Sequence, residues 1–560
     1  MDSLKSKQLS IPPLVITISL LFALSFGLRM GGNQNTYLLF ALKKLHPELW
    51  CRDWLVTNTH HYHLFFNYVA IILGQIGNLF WTLALLNFFI ISVFCLLFYR
   101  LLLRLKINRL FLVFGLNIFF LTLEGTDSIG QSYVFSSVLQ PSSISSIFFI
   151  LAMFSYIQRK DALAGVLFGV SGVFHENFLV LIFPMVLLSD FFCGRRDPKT
   201  IAKHLAPSCI VLVCEIPLLL KCSLSVNSDL ARYIFQVIRA PHHYYPKTFL
   251  MDYMLFVGWH LFAIAGLKRF LLPQLEERRR LVALYGATML LPLIATLLTT
   301  IVYIPQVSQV YFFRLAPYSV LFARVIGFSA ATEMMFLSDS SKLFQRRNII
   351  IYSAYFLSFA FLSIYYLKEP SYFPKKSIFY FISITLIIIA TLYVKEKNRT
   401  HSSMVESVLV ILLFVGFLGR MVNYHEKFNL VFGCHPTRAQ MYRWARSTEL
   451  GSLFLISPGL LEDFRIRSRR SVVVDWKSTP ILPDELIQWY QRIRDISGGR
   501  EITNMYEAVN FYHSLARDKL EKIKKKYDVD YAVFFKKWLK QDYNYPVAFQ
   551  NKEFVVYRLQ

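Results

Sequence analysis

Apolar residues along this chain run in long, nearly unbroken stretches separated by short charged clusters, not in the one-sided stripe of a soluble helix. Crossing the ~30 Å hydrocarbon layer of a bilayer takes about 20 residues of helix. Stretches that cover all or most of that distance fall near residues 11–29, 80–99, 110–123, 143–157, 162–174, 178–193, 206–221, 250–268, 282–303, 312–333, 348–367, 377–394 and 405–422. The pattern predicts an α-helical polytopic membrane protein of about 13 spans. The two stretches flanking His175-Glu176-Asn177 also fit a single re-entrant hairpin.

The first run follows Lys5 and Lys7 as a signal peptide would, but it lacks a small-x-small cleavage site and is read as a retained helix. With the N-terminus placed in the cytoplasm, basic clusters such as Arg100, Arg104, Lys106 and Arg109, or Arg195, Arg196, Lys199 and Lys203, fall on the inner side at nearly every turn, as the positive-inside rule requires. An odd number of spans then puts the C-terminus outside. The expected organisation is a transmembrane domain over 1–424, with a long first outer loop at 30–79, and a soluble extracytoplasmic domain over 425–560. In the latter, β-like runs at Leu453–Ile456, Val472–Val474, Tyr531–Phe535 and Phe554–Tyr557 alternate with helical stretches near 482–495 and 504–526, which predicts a small α/β domain.

Composition agrees with the pattern: 55% of the 560 residues are hydrophobic and 17% charged, against roughly a quarter charged in soluble domains. The formal charge of +25 follows from inner-loop topology and needs no nucleic-acid partner. Seven scattered cysteines without a CxxC give neither a zinc site nor a disulfide framework. No GxGxxG, P-loop lysine motif, GxSxG or HExxH is present, which removes the common nucleotide, serine-hydrolase and zincin readings.

Candidate chemistry concentrates on the outer side. The first outer loop is longer than a connector needs to be and carries Cys51-Arg52-Asp53-Trp54 and Thr59-His60-His61-Tyr62-His63. Asp53 at the mouth of the bundle has the chemistry of a general base or metal ligand; the bland alternative is a solvated acid paired with Arg52. Residues 64–78 read as an amphipathic interfacial helix with Phe65, Phe66, Val69 and Ile72 on one side. Glu124 and Asp127 form an acidic second loop facing the same mouth, and His175 and Glu176 interrupt two apolar helices near membrane depth. These four are cavity-lining or metal-ligand candidates; a divalent ion is the one cofactor they would suit, and its identity is open. Arg239, His242 and His243, with Tyr244 and Tyr245, form a dense cluster suited to a phosphorylated headgroup, and Arg314 at the start of a later span is a further phosphate ligand. An aromatic belt and a snorkelling arginine are the ligand-free alternatives. In the soluble domain Arg465, Arg467, Arg469, Arg470 and Lys477 pack five cations into thirteen positions, an anion-binding or membrane-docking patch.

The stretch from Asn33-Gln34-Asn35-Thr36 to Trp54, the His242-His243-Tyr244-Tyr245-Pro246 segment and the region from Phe464 to Val474-Asp475-Trp476-Lys477 together resemble an uncharacterised family of bacterial multi-pass proteins. More distantly, the plan is similar to that of the GT-C superfamily of polyprenyl-phosphate-sugar-dependent glycosyltransferases, in its acidic first outer loop, acidic second loop and extracytoplasmic C-terminal domain. That resemblance implies a transferase of the bacterial inner membrane, moving a sugar from a lipid-phosphate carrier to an acceptor on the extracytoplasmic side. It makes Asp53 the base that activates the acceptor. Many members have paired acids in the first loop, whereas Arg52 stands at the companion position here. The partners implied are membrane lipids, among them the polyprenyl-phosphate sugar. Two other readings suit the same residues: a transporter or flippase of a lipid-linked or anionic solute, and a non-catalytic assembly protein.

Overall fold

The computed structural model describes Leu20 and residues 31–107, 129–337 and 435–560, apart from positions 62, 137, 224, 226, 303, 305, 306, 308 and 309. The expected spans at 11–29, 110–123, 348–367, 377–394 and 405–422, the acids Glu124 and Asp127, and the boundary at 424 lie outside the described residues.

All other expected spans are helices. They are α2 (Leu79–Arg104), α3 (Pro141–Ile157), α4 (Asp161–Phe174), α5 (Glu176–Phe192), α6 (Pro198–Ser223), α7 (Leu250–Leu271), α8 (Glu276–Thr300) and α9 (Ala316–Leu337), preceded by α1 (Leu64–Ile76). Among the described residues four helices are long and apolar enough to cross a membrane: Leu79–Arg104, Pro198–Leu218, Asp252–Leu271 and Glu276–Thr300. The chain is a membrane protein, and α1, α3 and α4 are apolar but shorter. Local signals set the helix starts. Asn78 caps α2 by accepting from the Phe80 and Trp81 amides, and Pro141 stands at the first position of α3, where its missing N–H is not needed.

The helix α1 lies against the bundle through Phe66, Asn67 and Ala70 and leaves Phe65, Tyr68 and Ile72 more than half exposed. The apolar face expected to be continuous is therefore divided, with Phe66 inward and Phe65 and Ile72 outward. In α4 a side chain at Gly165 would fall on the Lys203 carbonyl, and one at Gly169 would lie 2.9 Å from Pro207 Cβ, so α4 and α6 touch backbone to backbone.

The hairpin of α4 and α5 has polar groups at both ends. At its open end His204 is fully buried between two carboxylates, with Nδ1 2.8 Å from Asp190 and Nε2 3.3 Å from Asp161. Tyr156 donates to Asp190 at 2.9 Å and Arg280 to Asp161 at 2.7 Å. At the closed end stand His175 and Glu176. The 14 residues of α4 rise only about 21 Å at 1.5 Å each, short of the hydrocarbon thickness. With the ionic end at one membrane face, the His175-Glu176 apex is recessed below the other.

The C-terminal unit is a five-stranded mixed sheet in the order β2-β1-β3-β5-β4, built from β1 (Leu453–Leu455), β2 (Ser471–Val472), β3 (Tyr531–Phe535), β4 (Val547–Gln550) and β5 (Phe554–Arg558). The first three strands are parallel and the last two antiparallel. Helices α10 (Pro436–Ser447), α11 (Pro483–Ile496), α12 (Met505–His513) and α13 (Arg517–Tyr527) flank the sheet. The helical stretch expected at 504–526 is thus two helices. Strand β4 was not expected, since its side chains are half-exposed and the apolar run is short. The segment 473–479 leaves the carboxyl end of β2, the position where open α/β sheets present their binding loops.

Candidate functional site

The segment 33–54 is clamped to the C-terminal unit, and Asp53 is the centre of the clamp. Its side chain is fully buried. Its Oδ2 accepts from Arg465 Nε at 2.7 Å and from the Val472 amide at 2.9 Å. The same arginine, itself 3% exposed, forms an ion pair through Nη1 with Asp475, which is 1% exposed. Arg52 turns away from Asp53 and pairs with Asp528 and Asp530, each at 2.8 Å. Asp53 is therefore the buried partner of Arg465 in this joint and not the solvated partner of Arg52.

The joint holds a segment that roofs the bundle. Asp475 Oδ1 accepts from the Ser478 amide at 2.7 Å, and its carbonyl accepts from Trp489 Nε1 at 2.9 Å. Thr36 of the first loop donates to Ser478 Oγ at 3.0 Å, and Arg239 Nη2 donates to the Lys477 carbonyl at 2.9 Å. The segments 33–54, 239–246 and 464–478, far apart in sequence, meet here.

Beneath the roof runs a row of rings with Arg314 in the middle. His63 and His175 are 4.7 Å apart between centroids, and His175 meets Phe178 at 5.8 Å. The Arg314 guanidinium lies over Phe178 at 5.3 Å and over Tyr311 at 5.1 Å, and Tyr311 contacts His243 at 5.6 Å and Tyr244 at 5.0 Å. Arg314 forms no ion pair among the described residues, and its buried Nε has no hydrogen-bond partner. Its charge nevertheless acts on Tyr37, Glu176, His243 and Tyr244, so it occupies the middle of the cluster. His63 and Tyr311, on either side of it, both have left-handed backbones, with φ of 56° and 54°. Such strain in a non-glycine residue concentrates at functional sites.

Arg239 and Lys477 add positive charge at the rim. Burial, the Arg239 charge and, in the opposite sense, Glu462 set the Lys477 ammonium, with a net result below its usual range. Burial is also the main reason that His242 is lowered to about 4 and His243 to about 3, helped by Arg239 and Lys477 for the first and by His242 for the second. Both imidazoles are therefore neutral at pH 7. They offer hydrogen bonds, not the positive charge expected of them. His243 Nδ1 lies 2.8 Å from the Gly130 carbonyl and 3.0 Å from Tyr311 Oη, which fixes its ring.

The five cations expected to form a patch in the soluble unit do not act together. Arg465 is locked in the joint. Arg470 is buried and donates to the Arg446 and Thr448 carbonyls, and Arg467 is paired with Asp463 at 2.5 Å. Arg469 is exposed in a left-handed turn, and only Lys477 faces the bundle. Among the described residues no group of three or more His, Cys, Asp or Glu is arranged to hold a metal ion. Tyr37 and Tyr311 belong to the site without having been singled out, and His63 was noted only as the end of the 59–63 motif. The left-handed turns that aim His63 and Tyr311 leave no sequence signal, while Tyr37 follows directly on the Asn33–Thr36 motif.

Residues 437–496 match a family described as a domain of unknown function, DUF6798. The matched segment supplies Arg465, Asp475 and Lys477. No curated protein matches the chain. Among solved structures the chain is similar to the archaeal oligosaccharyltransferase AglB from Archaeoglobus fulgidus in complex with an inhibitory peptide and a dolichol-phosphate, at 12% identity and a TM-score of 0.47, over 93% of this chain and 69% of that one. It is also similar to ArnT from Cupriavidus metallidurans bound to undecaprenyl phosphate, at 11% identity and a TM-score of 0.45, over 97% of each chain.

Proposed function

We propose that this protein is a membrane glycosyltransferase of GT-C plan, which moves a sugar from a polyprenyl-phosphate carrier to an acceptor on the outer side of a bacterial inner membrane. In this reading the full chain has about 13 spans, with its N-terminus in the cytoplasm and residues 425–560 outside.

The observation that carries the proposal is Arg314. A guanidinium at membrane depth is costly unless it is paired, and this one rests on two aromatic faces with no ion-pair partner among the described residues. A phosphate completes the site, since it accepts the planar pair of N–H groups for which Arg314 has no partner among the described residues. Arg239 and Lys477 lie close enough for their charges to act on each other, with Glu462 as a nearby acid, and a phosphate relieves that repulsion. The recessed apex and the apolar helices around it suit a ligand whose headgroup enters the site while its chain stays in lipid.

The test is native mass spectrometry of the detergent-purified full chain with added undecaprenyl phosphate. Wild type is expected to retain the lipid. Arg314→Ala is expected to bind it at least about tenfold more weakly, from the loss of a charge-assisted hydrogen bond. Equal retention by both proteins would remove Arg314 from the site and the proposal with it.

A further inference from the structure

With Asp53 paired to Arg465, a different carboxylate, that of Glu176, lies within the field of Arg314 without pairing to it. Glu176 begins α5 at the apex of the hairpin, with its side chain one quarter exposed, while His63 and His175 beside it are 4% and 9% exposed. The Nδ1 atoms of these imidazoles lie 3.4 and 3.9 Å from Glu176 Oε2. The His63 contact is longer than a good hydrogen bond, so His63 steers the carboxylate without covering it, while His175 Nδ1 accepts from the Asn177 amide at 3.3 Å and packs beside the carboxylate. His63 reaches this place only through its left-handed backbone, and it is held from the other side by Tyr37, edge-on at 5.1 Å. Phe178, two residues beyond Glu176, is the ring on which Arg314 rests. Three features therefore converge: a partly open carboxylate, two buried imidazoles flanking it, and a cation that has no ion-pair partner among the described residues next along the row.

We propose that Glu176 is the acid–base group of the site, with His63 as its positioning residue. The inference rests on the transfer reading above. As the acceptor oxygen attacks the anomeric carbon of the carrier-bound sugar, the Glu176 carboxylate takes the acceptor's proton. The bond from the anomeric carbon to the phosphate oxygen breaks, and its electron pair leaves with the phosphate, whose charge is held at Arg314. Glu176 then returns the proton to solvent. Besides the two histidines, the ionisable groups whose fields reach Glu176 are Arg314, Tyr37 and Glu215.

The experiment uses the full chain in nanodiscs, with labelled undecaprenyl-phosphate-linked glucose or mannose as donor and a bacterial envelope extract as acceptor. Undecaprenyl phosphate binding and sugar transfer are measured on the same samples. Glu176→Gln is expected to bind undecaprenyl phosphate within about threefold of wild type and to lose transfer by about 10²–10⁴-fold. Glu176→Asp is expected to recover part of the transfer, with the acid limb of its pH–rate profile displaced, and it serves as well if the Gln variant folds poorly. His63→Asn should move that limb while leaving undecaprenyl phosphate binding in place, which a purely structural histidine would not do. Transfer by Glu176→Gln within threefold of wild type overturns this inference and leaves the carrier reading standing. A wild type that binds no undecaprenyl phosphate, or binds it and transfers neither sugar, overturns the transfer reading and this inference together.

Discussion

Replacing Arg465 with Met takes away the cation that lies between two buried carboxylates, Asp53 and Asp475, while keeping a side chain of similar length. The two acids then stand unpaired in a site where all three side chains are at most 3% exposed. Removing one partner from a buried ion pair costs about 3–5 kcal/mol. Asp53→Asn is a much smaller change. It preserves the shape, leaves Arg465 paired with Asp475, and weakens the bonds from Arg465 and the Val472 amide, for about 1.5–3 kcal/mol. The expected order of stability is wild type, then Asp53→Asn, then Arg465→Met. The double variant should be less destabilised than the sum of the two single changes, because it leaves one buried acid uncompensated where Arg465→Met leaves two.

Thermal unfolding in detergent gives the order. Limited proteolysis gives the location, since loosening the joint should expose the first outer loop around Arg52–Trp54 and the segment at 473–479. Undecaprenyl phosphate binding should weaken in both variants, because the joint holds the loop that carries Lys477. The reasoning is refuted if Asp53→Asn melts with wild type and binds the carrier normally yet transfers no sugar. That outcome would make Asp53 a reacting group and not a joint.

Lys477→Met should bind undecaprenyl phosphate more weakly yet melt no lower than wild type, because the lysine is held against the like charge of Arg239; a lower melting temperature would show that it is a structural residue. His242 and His243 titrate in the folded protein at about 4 and about 3, below the ~6.5 of an unfolded histidine. The unfolded chain therefore holds more protons between about pH 6.5 and 3, so stability should be level above that window and fall as pH drops through it; His243→Asn should flatten part of that fall in a melting series. Gly165→Ala puts a methyl group on the Lys203 carbonyl and should destabilise by about 1–3 kcal/mol, whereas Gly451→Ala, in open space, should melt with wild type.

Hydropathy along the chain was enough to place the helices, because a membrane span must satisfy its own backbone and announces itself by sheer apolar length. The expected stretches at 80–99, 143–157 and 178–193 are α2, α3 and α5 to within a few residues. Strand β4 and the break between α12 and α13 escaped that reading, since one is a half-exposed edge and the other, at 514–516, leaves the Leu515 carbonyl to accept from the distant Tyr543 hydroxyl and Gln541 amide. The site was legible in part. Arg314, Arg239 and Glu176 stood out because charge is rare beside apolar spans. What sequence could not supply was pairing at a distance. Asp53 and Arg465 are 412 positions apart, and until they are brought together each has the appearance of a free functional group.

The pairing also ties the soluble unit to the chemistry. Arg465 belongs to the short helix Phe464–Ser468 and Asp475 to the loop after β2, so one guanidinium fixes two parts of the domain against the first outer loop. Lys477 lies two residues beyond Asp475, and its carbonyl receives Arg239 from the bundle side. Lys477 thus joins the site only when the domain is docked, whereas Arg239, Glu176, His63 and His175 belong to the bundle and its first loop. Binding of the carrier should therefore depend on docking, and the acid–base group should not. This is why damage to the joint should weaken carrier binding first, while damage at Glu176 should stop transfer with the carrier still bound.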